Sequence, residues 1–349
     1  MNTTAARWTI VAIALTLSVA SAANAARRYR LVNLDASIGE QVNPFAINDD
    51  GLVALRAFEN GRIVSMLYDS RTGAVQRLAP DQSAISALSN NGNSAGQGGF
   101  STVGWFIVDG VSGTVPFPGG TGSGALGVNN QGQVVGINNF AGGFFGFSHA
   151  VVYSAKTGEL TDLGTLGGTS SFARAINQRG VVAGSADVPG GSLFNPIQHA
   201  FRWDGGAMED LGTLGGSSSI AFAIDAQGRI AGFADVQPGR FPPRHAFLFD
   251  RDGMHDLGTL PGRNFSEAMA MNDHGEAVGQ SYLDALNNSH AVLFSKGAVI
   301  DLNDLAAYDD GFVHQTSAGI NNAGAIVGAS FNPATFQFRS FLLLPIEDE

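Results

Sequence analysis

The chain has no cysteine, and only 14% of its 349 residues are charged. Without cysteine there is no disulfide framework and no thiol nucleophile, so the core alone must hold the fold together. Long disordered chains combine high charge with few apolar residues; here 44% of residues are apolar, which excludes that class. The formal net charge of −11, with no concentrated basic segment, would repel a phosphate backbone and excludes nucleic acid as an expected partner. Beyond the N-terminal segment no apolar run reaches the ~18 residues that cross a bilayer, so no membrane span is expected.

What is abundant is glycine, with 47 residues, which points to many tight turns between short strands rather than to helices. At the N-terminus Arg7 precedes an apolar run from Trp8 to Ala20, and Ala23-Asn24-Ala25 places small residues at a cleavage site. Residues 1–25 therefore read as a signal peptide, and residues 26–349 as one domain, a monomer that is secreted or periplasmic.

Two elements recur along that domain. The first is seen in His199-Ala200-Phe201-Arg202-Trp203, a Gly-containing turn, and a second short run ending in Asp210-Leu211-Gly212-Thr213-Leu214. Copies start at His149, His245 and His290, at spacings of 50, 46 and 45 residues. The second is Asn-x-x-Gly followed by small and β-branched residues, clearest at Asn177-Gln178-Arg179-Gly180-Val181-Val182-Ala183-Gly184. Asn48, Ser89, Asn129, Asn177, Asp225, Asn272 and Asn321 occupy its first position, 40 to 49 residues apart. An Asn, Asp or Ser opening a type I turn accepts a backbone hydrogen bond, and the glycine closes the hairpin in the left-handed conformation.

Each repeat thus carries four short strands in two hairpins. In the central repeat these are a, 172–177; b, 181–186; c, 199–204; and d, 207–211. Four-stranded antiparallel units at this period predict an all-β fold, a seven-bladed β-propeller. The mature chain opens with a strand d at 28–34 that has no a, b or c before it, and ends with a, b and c at 318–321, 325–329 and 339–344 with no d after them. The N-terminal strand is therefore expected to complete the last blade and close the ring.

The His-Ala-Phe runs at 199 and 245, each joined to Asp-Leu-Gly-Thr-Leu, resemble the HAF repeats of probable extracellular bacterial proteins. The likeness is specific from about Phe147 to Leu302; the first two repeats carry Val64-Ser65 and Gly104-Trp105 instead of His-Ala, and the last carries Arg339-Ser340. The resemblance implies a secreted repeat protein of bacterial origin, and it brings no ligand or activity with it.

His149, His199, His245 and His290 sit on strand c of different blades, about 10 Å out from the innermost strand at ~4.8 Å per strand. They cannot converge, so the expectation is a structural role for them and for Asp162, Asp210, Asp256 and Asp301, with no metal and no cofactor. The isolated His255, His274 and His314 read as surface or turn residues. Asn48-Asp49-Asp50-Gly51 lacks the ligand spacing and distal Glu of a calcium loop. Gly122-Ser123-Gly124-Ala125-Leu126-Gly127 fits a phosphate-loop pattern, yet a strand follows it and no helix N-terminus is available. No serine stands in G-x-S-x-G.

The a-b and c-d turns are short and alike, whereas the b-c connections vary in length and content. In an antiparallel blade the b-c and d-a connections share one face, so that face is the individual one. It carries Phe140, Phe144, Phe145, Phe194, Phe241 and Tyr282 beside Arg240 and Arg244. Aromatics exposed on loops over a rigid scaffold mark recognition; aromatics folded back over the blades are the alternative. Phe194, Phe241, Arg244 and Tyr282 are the candidate ligand-binding residues. The function expected is binding of a glycan, peptide or protein such as an envelope component, without catalysis; the alternative is a secreted polysaccharide or peptide lyase or hydrolase, which would need an acid and a base converging near the axis.

Overall fold

A computed structural model describes residues 28 to 346, apart from 40, 60, 79–82, 99–102, 141–146, 193–194, 240 and 284–288. The segment read as a signal peptide lies outside the described residues, as do Phe144, Phe145, Phe194 and Arg240.

Seven four-stranded antiparallel sheets are present, and in six of them the strands follow chain order. Their innermost strands, a, are Val42–Ile47, Ser83–Leu88, Gly122–Val128, Ser171–Ile176, Ser219–Ile224, Phe265–Met271 and Val313–Ile320, which number the blades one to seven. Blade four continues with Val182–Asp187, Gln198–Trp203 and Glu209–Asp210. The inner three strands lie within a residue of the expected bounds. Strand d is shorter than expected, because only Phe201 and Arg202 have partners on it.

The turn chemistry is as the sequence dictates. Gly51, Gly92, Gly132, Gly180, Gly228, Gly275 and Gly324 all have φ between 77° and 85°, which only glycine adopts without strain. In blade four the Gly180 N–H donates to the Asn177 carbonyl at 3.1 Å, closing the a-b turn.

The last blade consists of Val313–Ile320, Ile326–Asn332, Gln337–Pro345 and the N-terminal strand Tyr29–Asn33. Its register runs from Tyr29 opposite Pro345 to Asn33 opposite Phe341, so the first strand of the described chain closes the ring. Two short helices were not legible in a glycine-rich sequence. They are α1, Leu34–Ile38, and α2, Leu302–Leu305. Each follows a strand d whose last Asx side chain caps it: Asn33 accepts from the Ala36 N–H and Asp301 from the Asn303 N–H. Each also inserts a fully buried leucine, Leu34 or Leu302.

The core runs between blades rather than through a centre. Val327 and Leu342 of blade seven pack with Val53, Leu55 and Met66 of blade one, and Val135 and Val152 of blade three with Ala173, Val182 and Phe201 of blade four. Both faces of a blade are therefore apolar, which is why the strands do not alternate with charge.

Candidate functional site

The repeated His and Asp residues meet within their own blade. The Nδ1 of His149 lies 2.8 Å from the Asp162 carboxylate, that of His199 2.9 Å from Asp210, and that of His245 2.8 Å from Asp256, and His290 pairs with Asp301 in the same way. The same carboxylates accept the backbone N–H two residues on, from Gly164, Gly212, Gly258 and Asn303, which shapes the turn leaving strand d. A buried serine of the next blade then bolts the two together. Ser219 Oγ accepts the Ala200 N–H at 2.8 Å and donates to the Gly212 carbonyl; Ser171 and Ser266 repeat this arrangement. The His-Ala pair and the Asp-Leu-Gly turn are thus two halves of one fastening. Among the described residues no three His, Asp or Glu stand close enough to hold a metal. Because the His199 and Asp210 side chains are partly solvated, His199→Ala is expected to cost about 0.5–1.5 kcal/mol in urea unfolding. Metal binding that disappears in this variant would contradict the structural role.

The turn asparagines form a second fastening around the a-b mouth. Asn48 Nδ2 donates to the Ser89 carbonyl at 3.1 Å, Asn129 to Asn177 at 3.1 Å, Asn177 to Asp225 at 2.9 Å, Asn272 to Asn321 at 3.2 Å, and Asn321 to Asn48 at 3.0 Å. Ser89 and Asp225 cannot donate in this way. Asn93 Nδ2 reaches the Asn129 carbonyl instead, and Arg229 reaches the Asp273 carbonyl at 2.9 Å. All seven blade-to-blade steps are bridged, so the polar groups of this mouth are committed to holding the ring.

Behind that mouth the axial channel narrows. Ile47, Leu88, Val128, Ile176, Ile224, Met271 and Ile320, one from each blade, line both cavities of the channel and form its waist. On the a-b side lies a polar cup of about 190 Å³ that includes Asp49, Asp225 and Asp273. On the b-c side lies a cup of about 240 Å³ of different character. It is shaped by a β-bulge in every strand a, at Phe45, Ser86, Leu126, Arg174, Phe222, Met269 and Ala318. A bulge adds one unpaired residue to a strand and re-aims its side chain. All seven of these residues line the cup. Among the described residues that line it, Arg174 is the only charged one and Ser86 the only other with a polar side chain.

In six of the seven blades a glycine faces the bulge on strand b, and blade one carries Leu55 there, opposite Pro44. A Cβ on Gly96, Gly136, Gly184, Gly232, Gly279 or Gly328 would lie 1.8 to 2.1 Å from a carbonyl oxygen of strand a. In those six blades the glycine, as at Ala183-Gly184, leaves no room for a side chain against the channel wall.

Of the four candidate residues from the sequence, Phe241 is 85% exposed on the b-c face. Phe194 lies outside the described residues. Tyr282 is not a loop aromatic: it ends strand b of blade six, is buried, and stacks on Phe265 with ring centroids 5.1 Å apart. Its hydroxyl donates to Glu267 at 2.9 Å and accepts from Arg244 Nε at 2.9 Å. Burial, and next the Glu267 carboxylate, push it up to about 12. Arg244 also pairs with Glu267 at 3.0 Å and stacks over Phe233, so the structure brings Arg244 and Tyr282 together as a joint between blades five and six. Phe140 likewise folds back, 5.8 Å from Phe147 and 5.2 Å from His149.

The exposed aromatics of this face are mostly ones that reading the loops did not single out. Phe58, Phe117, Phe147, Phe241, Phe336 and Phe338 are the exposed phenylalanines among the described residues. All six sit at the end of a strand b, in a b-c or d-a connection, or at the start of a strand c, hence on the same face. Strand direction, legible in the sequence, puts all six on this face, and packing decides that they are exposed while Phe140 and Phe331 are not.

His314 overturns its reading as a surface or turn residue. It is fully buried in strand a of blade seven, between Phe341 and Tyr308 at 4.3 and 5.4 Å. Nε2 donates to the Ala306 carbonyl at 2.7 Å and Nδ1 accepts from the Ser330 hydroxyl at 2.8 Å, which satisfies the neutral ring. Burial pushes its pKa down to about 4. The unfolded chain takes up this proton below its ordinary value of about 6.5 and the folded chain only near 4, so stability is lost as pH falls between the two, by about 3 kcal/mol in all. Urea midpoints over this range should fall more steeply for the wild type than for His314→Gln; equal slopes would refute the assignment.

No family model and no curated protein matches the chain. Among solved structures it is similar to the β-propeller domain of the Trilobed protease from Pyrococcus furiosus, at 11% identity and a TM-score of 0.60, covering 93% of this chain and 96% of that one. That domain has an open velcro topology, whereas here the N-terminal strand pairs into the last blade. Oligogalacturonate lyase from Vibrio parahaemolyticus is similar at 10% identity and a TM-score of 0.57, with 92% and 94% of the two chains covered. Pyrococcus horikoshii acylaminoacyl peptidase is similar at 10% identity and a TM-score of 0.58 over 90% of this chain, which spans 54% of that protein's length. At such identities the likeness is one of fold: the chain is a seven-bladed β-propeller.

Proposed function

We propose that this chain is a secreted binding propeller of the HAF-repeat type, whose b-c face recognises an extracellular glycan, peptide or envelope component. The observation that carries this reading is the one-sided placement of the six exposed phenylalanines. Leu283, 41% exposed, follows Tyr282 on the same side. Exposed aromatic side chains gathered on one face of a scaffold favour contact with a partner. The opposite face spends its side chains on the asparagine ring. The enzyme alternative needs an acid facing a base near the axis; among the described residues the b-c cup is lined by neither carboxylate nor imidazole, and the a-b cup holds Asp49, Asp225 and Asp273 without an imidazole.

A glycan and peptide array probed with residues 26–349 tests this reading. For the ligand found, Phe241→Ala and Phe336→Ala should each weaken binding roughly tenfold without changing the melting temperature. Substitutions at Gln178 or His274 in the a-b turns should leave it unchanged; the reverse pattern would show that the faces have been exchanged. Tyr282 and Arg244 are unsuitable probes, since truncating either opens a buried joint.

A further inference from the structure

The b-c cup of the channel holds, among the described residues, a cation with nothing to neutralise it. Among the described residues the Arg174 guanidinium makes no hydrogen bond or ion pair, and its Nε is fully buried without a partner. Its contacts are aromatic: the guanidinium carbon stands 5.3 Å from the centre of the Phe222 ring and 6.0 Å from that of Phe172. Other shielded arginines are paired, Arg229 with Asp225, Arg244 with Glu267 and Arg339 with Asp310, while Arg56 donates to the Ile85 carbonyl at 2.9 Å. A shielded charge without a counter-charge is costly, and burial accordingly lowers the pKa of Arg174, although an arginine stays protonated.

Its position in the repeat gives the second argument. Along strand a the bulge is followed in every blade by alanine or glycine and, one residue on, by the apolar waist residue; in blades three to seven a small residue also precedes it, as Ala173 and Ala221 do, while Pro44 and Ile85 precede it in blades one and two. The bulge residue itself varies most, from alanine to arginine. It is released from ladder pairing and points into the cup, so neither the hairpin nor the blade contact dictates its identity; what occupies the channel can.

We propose that this cup binds a small organic monocarboxylate with an apolar body, its carboxylate paired with Arg174. The charge of the ligand follows from the single guanidinium, whose planar fork suits a carboxylate. Its apolar body follows from Phe45, Leu126, Phe222 and Met269 around the wall and the apolar residues of the waist below. The Ser86 hydroxyl, two blades from Arg174 and 3.5 Å from Arg56 Nη2, is the other polar side chain that lines the cup among the described residues. At about 240 Å³ the cup is smaller than the ~300–1,000 Å³ of drug-sized sites, which limits the ligand to about ten non-hydrogen atoms. This site is separate from the outer-face reading, and either can fail alone.

The test is calorimetric titration of the full chain with 3-phenylpropanoate and with its neutral isostere 3-phenylpropanamide. One molecule of the acid should bind per chain, at least tenfold tighter than the amide. Arg174→Met should bind the acid no better than the wild type binds the amide, and should melt no lower, because it removes an uncompensated charge. Arg174→Lys, which keeps the charge without the fork, should retain an intermediate affinity. Equal binding of acid and amide by the wild type, absence of saturable acid binding up to 10 mM, or undiminished affinity in Arg174→Met would overturn the proposal. The acid and amide comparison needs no variant and decides the matter even if one misfolds. Array binding that depends on Phe241 would be untouched by any of these results.

Discussion

A chain lacking residues 26 to 35 should lose most of its stability and aggregate. The deletion removes the strand whose five residues pair from Tyr29 with Pro345 to Asn33 with Phe341, leaving the edge of Gln337–Pro345 open. It also removes Leu34, which is completely buried between the first and last blades. The Asp35 carboxylate goes too, and with it the acceptor for both the Val42 and Ser340 N–H groups, each at 2.8 Å. One leucine cavity costs ~2–5 kcal/mol, and the lost strand adds to it, so the sum rivals the ~5–15 kcal/mol that holds a typical protein together. The exposed strand is then a template for pairing with another chain. Thermal unfolding and size-exclusion chromatography check both parts, and an unchanged melting temperature with a monomeric profile would sink the closure.

The next largest effect is expected from one methyl group. In Gly184→Ala the added carbon would lie 1.9 Å from the Phe172 carbonyl oxygen and 2.9 Å from the Phe201 ring, which is itself fully buried. The obstacle is backbone on a strand that already bulges, so relief requires the channel wall to move. A loss of roughly 3 kcal/mol or more is expected, at the upper end of overpacking costs. Gly206→Ala is the control: nothing lies within 4 Å of its added carbon, and the change should stay within about 0.5 kcal/mol. Urea midpoints of the two variants measure the difference; if they coincide, the bulge is not the constraint described above.

The sequence by itself determined the blade count, the order of strands, the hairpin turns and the closure by the N-terminal strand. All of these rest on interactions within a few residues or on repetition. Asn177 and Gly180 make a turn whatever surrounds them, and seven such turns count seven blades. The tertiary structure alone decided what the repeats do to one another. That Asn177 reaches the Asp225 carbonyl, or Ser219 the Ala200 N–H, depends on how adjacent blades dock, which no local pattern encodes. Tyr282 looked like a loop aromatic because its partners Phe265, Glu267 and Arg244 lie on other strands, and His314 looked like a surface residue because the rings that enclose it, Tyr308 and Phe341, reach it from a connection and from strand c. The cup around Arg174 is the extreme case. Its wall takes one bulge residue from each of seven strands, some 40 to 50 positions apart in the chain, and only the closed ring brings them to a common axis.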